Sequence, residues 1–141
     1  MNQIKFLPGE IYKKFKSERI AGRIISIHHL LQLKEEIETN RRGHLLDEMF
    51  FQECLSFFDF SPPTSLAEAK SIIIISIAQP KILVSFHWKK RQYTLTIPPT
   101  YLHEPDDKIK NMLEETLIPA GYQITRTFLP LKSLAVRSGL A

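Results

Sequence analysis

Apolar and polar residues recur with different periods along this chain, and each period predicts a kind of element. Ile11–Arg23 is a basic stretch carrying Tyr12, Phe15 and Ile20, the pattern of a short amphipathic helix. After Ile24-Ile25, Ser26 is placed to cap a helix. Ile27, Leu30, Leu31 and Ile37 share one side of that helix, and Glu35, Glu36 and Glu38 lie on the other. Arg41 and Arg42 suit its negative end, and Gly43 suits a left-handed position beyond it. Leu46, Met49, Phe50, Cys54 and Phe57 predict a second helix, with Phe51, Leu55 and Phe58 widening the stripe. A face this broad demands deep burial or a covering partner. Ser61-Pro62-Pro63 closes it, because proline disfavours helix in the residue before it and lacks a donor.

Ser71–Ala78 is a nearly unbroken apolar run, the pattern of a strand buried on both faces at the centre of a sheet. Ile82, Val84, Phe86 and Trp88 alternate with their neighbours, and Tyr93, Leu95 and Ile97 do so again after Lys89-Lys90-Arg91. That predicts a β-hairpin with a basic tip. Asp106 and Asp107 sit where the cap and first turn of a further helix belong, and Ile109, Met112, Leu113 and Leu117 form its stripe. Pro119-Ala120-Gly121 ends that helix, Tyr122–Leu129 reads as another strand, and Leu131–Val136 reads as a short helix. The expected fold class is α+β, or α/β with a mixed sheet and flanking helices. A single domain over 1–141 is expected, with a basic segment at 1–25, a helical pair at 26–60 and the sheet with its helices at 71–141.

Composition narrows the class. With 43% hydrophobic and 24% charged residues the chain is neither disordered, collagen-like nor a pure coiled coil. Its apolar runs fall well short of the ~20 residues of a membrane helix. No signal peptide is visible at the start, and cytoplasmic localisation is expected. The single cysteine excludes an internal disulfide and a cysteine-only metal site. The net charge of +4 is unevenly spread: residues 26–70 hold four basic and eight acidic side chains, whereas residues 71–101 hold four basic and none acidic. A basic skew can dock an anionic partner such as tRNA or a phosphate-bearing cofactor, or can be an ordinary solvated surface.

Candidate chemistry is sparse. Five glycines, none clustered, exclude a glycine-rich phosphate cradle. His28-His29 are neighbours whose rings point about 100° apart on a helix, a poor metal pair. Cys54 lies on an apolar stripe and reads as a buried structural thiol. His87 reads as a surface strand residue or as one facing a cleft. Tyr101, His103, Glu104, Asp106 and Asp107 are denser, in a loop between strand and helix where α/β proteins place ligands. A Tyr–His–Asp set exchanges protons near neutral pH, although helix capping already accounts for Asp106 and Asp107.

From about residue 20 to 141 the chain resembles the iron–sulfur oxidoreductases related to epoxyqueuosine reductase, those described as carrying a double four-iron cluster domain. The resemblance runs through Leu45-Leu46-Asp47-Glu48, Phe57-Phe58-Asp59-Phe60-Ser61-Pro62-Pro63, Ala69-Lys70-Ser71-Ile72-Ile73 and Ile97-Pro98-Pro99-Thr100-Tyr101. It continues at Pro119-Ala120-Gly121-Tyr122 and is most specific over Leu129–Ala141. It implies part of a reductase-type catalytic domain, with cobalamin as candidate cofactor. Arg137-Ser138-Gly139 fall at the cofactor-side turn, and Tyr101, His103, Asp106 and Asp107 fall where a proton-donating acid is supplied. The family's Asp-Tyr-His order is not reproduced here, and Glu104, Asp106 and Asp107 are equal candidates for the acid. Iron–sulfur clusters would belong to a C-terminal part outside this chain, since four thiolates per cluster are needed. The expectation is an N-terminal fragment, inactive alone, that forms a homo-oligomer or pairs with a cluster-bearing partner; the resemblance implies tRNA as a partner, since a modified base in tRNA is the substrate of epoxyqueuosine reductase, and leaves this chain's own substrate open. Open apolar surface on Ser71–Ala78 and Leu129–Val136 is expected to drive that association. The alternative is a non-enzymatic remnant that binds itself, another partner or RNA through its hairpin. No membrane partner is expected.

Overall fold

The computed structural model describes residues 8–78, 81–97 and 105–140. The elements run α1 (Pro8–Ser17), β1 (Ala21–Ser26), α2 (His28–Arg42), α3 (Glu48–Cys54), β2 (Ser71–Ser76), β3 (Ile82–Trp88), β4 (Arg91–Ile97), α4 (Pro105–Leu117) and α5 (Leu131–Ser138), with a short 3-10 turn at Thr64–Leu66. The fold is α+β. Among the described residues it holds two separate antiparallel two-stranded sheets, β1–β2 and β3–β4.

The isoleucine run of β2 organises the body. Ile72 and Ile74 point to one side, where they meet Leu30 and Leu33 of α2, Leu129, and Leu134 of α5. Ile73 and Ile75 point to the other, where Ile11 and Phe15 of α1 meet Met112 and Leu117 of α4. Successive strand residues face opposite sides, so one apolar run serves two cores. Burial on both faces is thus as expected. The position is not: among the described residues β2 pairs only with β1, in register from Ala21↔Ser76 to Ser26↔Ser71. Two helical layers, not further strands, cover it.

β1 begins inside the stretch expected to be helical. α1 stops at Ser17, and Gly22 explains why the chain then passes so close to it. A Cβ on Gly22 would lie 2.4 Å from the Phe15 ring, which is itself buried. Ser26 is not the N-cap of α2: Ile27 takes that place, although the Ser26 hydroxyl still accepts a long bond of 3.3 Å from the His28 N–H. Beyond α2 the left-handed residue is His44 (φ 56°), not Gly43 (φ −78°).

α3 is shorter than its stripe. It starts at an Asp47 cap, whose carboxylate accepts from the Phe50 N–H at 2.8 Å, and ends at Cys54. Just past its end, Ser56 Oγ donates to the Gln52 carbonyl at 2.7 Å, satisfying a helix-end acceptor. Phe51 alone of the stripe is buried, and Cys54 is exposed, not a core thiol. Phe57 and Phe58 leave the helical path and stack with Phe128, Phe58 at 5.2 Å.

Tyr122–Leu129 forms no strand. Its backbone is held by a carboxylate instead of a ladder: Asp59 Oδ2 accepts from Thr127 Oγ1 at 3.0 Å and from the Phe128 N–H at 3.1 Å, and the Asp59 N–H donates to the Phe128 carbonyl. Leu129 and Leu134 are buried against the body, whereas Leu131 and Val136 stay exposed, so the apolar surface expected open over Leu129–Val136 is covered only in part.

Candidate functional site

The expected acid–base set is only partly within the structure. Tyr101, His103 and Glu104 lie outside the described residues. Asp106 is in the first turn of α4, and Asp107 is exposed one residue later. His28 and His87 are exposed. Among the described residues no group of three or more His, Cys, Asp or Glu side chains is arranged to hold a metal.

Arg137, Ser138 and Gly139 come together at the end of α5, and each is committed locally. Arg137 donates to the Glu36 carboxylate of α2. Ser138 Oγ donates to the Ala135 carbonyl at 2.8 Å. Gly139 adopts the left-handed cap (φ 70°), and its N–H reaches the Val136 carbonyl. This is a helix C-terminus tied to its neighbour. α5 and α4 also pack on opposite faces of the β1–β2 sheet, so Arg137 and Asp107 belong to different layers. Cobalamin at Arg137-Ser138-Gly139 would have to compete with the Arg137–Glu36 ion pair and the α5 cap. One exposed cysteine does not fit an iron–sulfur cluster.

An open cleft of about 640 Å³ lies between the end of α2 and the start of α3, lined by Glu38, Arg41, His44, Asp47 and Glu48 among others. Its charges are largely satisfied within it. Arg41 donates to both Glu48 carboxylate oxygens, 2.8 Å at Nε, and its guanidinium lies 4.0 Å above the Phe51 ring. These bonds, with a further one from Gln52, lower the Glu48 pKa to about 2. The Asp47 carboxylate is occupied as the α3 cap. The Arg41–Glu48 pair and the Asp47 cap make this cleft a bracket between α2 and α3.

The hairpin is different. Residues 83–96 are all exposed, and neither core includes a residue of β3 or β4. Lys89 (φ 47°) and Lys90 (φ 63°) form the tight two-residue turn with both residues left-handed, which fits the twist of the strands. The register then sorts the side chains. Val84 faces Leu95, Phe86 faces Tyr93 and Trp88 faces Arg91 on one side, while Ser85 faces Thr94 and His87 faces Gln92 on the other. The Phe86 and Tyr93 rings stack at 5.6 Å, and Ser85 and Thr94 share a 3.1 Å hydroxyl bond. One ribbon therefore shows an apolar, aromatic face, a mainly polar face that also carries Leu83 opposite Thr96, and a basic tip. The alternation and the tip were readable in the sequence, but which face was covered was not, and neither is.

Further exposed apolar side chains gather in sequence at the start of α3: Leu45 (81% exposed), Met49 (68%) and Phe50 (49%). The stripe carrying Met49 and Phe50 called for deep burial or a covering partner, and both residues are exposed in this chain.

No protein-family model, curated protein or solved structure matches this chain.

Proposed function

We propose that this chain is a binding module that associates with a second copy of itself, on a reductase-like scaffold with no catalytic activity of its own. One observation carries the reading: the β3–β4 hairpin holds Val84, Phe86, Trp88, Tyr93 and Leu95 on one face outside both cores. A two-stranded hairpin is marginal in water by itself, and an exposed contiguous apolar face of this kind marks an interaction surface. The chain carries its own electrostatic complement, since residues 26–70 sum to −4 and residues 71–101 to +4. The resemblance to epoxyqueuosine reductase-like proteins supports the scaffold part of the reading. Its most specific stretch, Leu129–Ala141, supplies Leu129 and Leu134 to the core and commits Arg137 to Glu36.

Sedimentation velocity over about 1–200 µM tests this, because association is a mass-action effect. The expected outcome is a concentration-dependent shift from monomer to dimer. A chain that stays monomeric at about 200 µM overturns it.

A further inference from the structure

The self-association reading leaves open what the hairpin meets. Aromatic side chains present about 150–250 Å² each when fully exposed, so the exposed fractions on the hairpin face leave on the order of 500 Å² to bury. A standard stable interface takes about 800 Å² from each partner. The hairpin alone falls short. Leu45, Met49 and Phe50 add on the order of 400 Å² and bring the total to the required size.

Charge agrees with area. Residues 43–60 hold four acidic side chains, Asp47, Glu48, Glu53 and Asp59, and no lysine or arginine. The hairpin and its approach hold Lys81, Lys89, Lys90 and Arg91 and no acid. Within α3, Glu53 lies one turn beyond Met49 and Phe50, is exposed, and has no ion pair among the described residues. Lys89 and Lys90 are exposed at the tip beside Trp88 in the same condition.

Resting on the self-association reading, we infer that the hairpin of one copy docks on the α3 patch of a second, Trp88 against Leu45, Met49 and Phe50 with Lys89 and Lys90 beside Glu53, twice in a two-fold dimer. Both surfaces are present on every copy, so reciprocal docking closes the assembly at two. Pairing hairpin on hairpin would instead gather like charges and leave the α3 patch open.

The test is a charge swap. Lys89→Glu/Lys90→Glu and Glu53→Lys are each expected to weaken dimerisation about tenfold or more, and the combined variant is expected to regain most of the wild-type affinity. Lys89→Asn/Lys90→Gly removes the same charges while supplying favoured turn residues, so weakened association in that variant is not a folding failure. A wild-type dimer that ignores all these changes overturns this interface and leaves self-association standing. A wild-type chain that remains monomeric overturns both. A monomer that shifts fluorescein-labelled oligouridine, and loses the shift in Lys89→Asn/Lys90→Gly, overturns both in favour of single-stranded nucleic acid on the aromatic face.

Discussion

The two sheets of this molecule are nearly the same size and meet opposite fates. β1–β2 pairs six residues per strand and β3–β4 pairs seven, both antiparallel. The first has helices on each face, and Ile72 and Ile74 are 7% and 4% exposed. Among the described residues nothing covers either face of the second, and Trp88 and Leu95 are 61% and 58% exposed. Apolar side chains in a strand therefore do not by themselves say that the strand lies in a core. In β1–β2 they are tied to helices that supply the opposing apolar stripe. In β3–β4 they face solvent, on a ribbon held by cross-strand pairs such as Phe86–Tyr93.

Truncation breaks the comparison most strongly. Leu134 is fully buried where α5 meets β2, and Leu134→Ala is expected to cost about 2–5 kcal/mol in chemical denaturation. Leu95→Ala removes the same atoms from the exposed face and is expected to cost less than about 1 kcal/mol in the monomer. A comparable loss at both positions would mean that the hairpin face is buried in solution. Gly22→Ala comes next, because the added methyl meets the Phe15 ring inside the α1–α4 core. Overpacking of this kind costs about 1–3 kcal/mol, and Phe15→Leu in the same chain is expected to return part of it.

The turn offers a change of opposite sign. Lys89 and Lys90 hold left-handed backbone that Asn-Gly adopts more readily. Lys89→Asn/Lys90→Gly is expected to firm the hairpin by about 0.5–1 kcal/mol while leaving the melting of the helical body unchanged. Trp88 is the single tryptophan, so its fluorescence reports the hairpin and far-ultraviolet circular dichroism the helices. A joint shift of both signals would show that the two sheets fold as one unit.

The legible parts of the fold are those where local pattern and tertiary environment agree. The hairpin, α2, the Met112–Leu117 stripe of α4 and the two-sided β2 follow from period alone. The rest depended on contacts distant in the chain. β1 is short and hidden behind a helical pattern, and its place beside α1 turns on Gly22 accepting Phe15. Tyr122–Leu129 has strand-like alternation but finds a carboxylate, Asp59, more than sixty residues earlier. Cys54 lies on a helical stripe and was read as a buried thiol but is exposed, and Met49 on the same stripe is exposed where deep burial or a covering partner was expected. The resemblance places Arg137 at a cofactor-side turn, and the structure pairs it with Glu36; the tip lysines, legible as the basic tip of a hairpin, border its exposed aromatic face.

The smallest expected effect separates the two regions by pH. Glu48 is lowered to about 2, chiefly by the hydrogen bonds from Arg41 and then by the one from Gln52. Its ordinary value is about 4.3, so the folded-state value is the lower one. The stabilisation this junction supplies is complete above the unfolded value and is lost as pH falls from about 4.5 through about 2. Both partners are exposed, so the effect is modest and screened by salt. In dilute monomer, the wild-type helical signal is expected to lose more thermal stability between about pH 5 and 2.5 than that of Glu48→Gln, with the gap narrowing towards the acid end. Residues 71–101 contain no carboxylate. Trp88 fluorescence should therefore show no matching difference between the two proteins, and a difference there would mean that the hairpin senses the α2–α3 junction within a single chain.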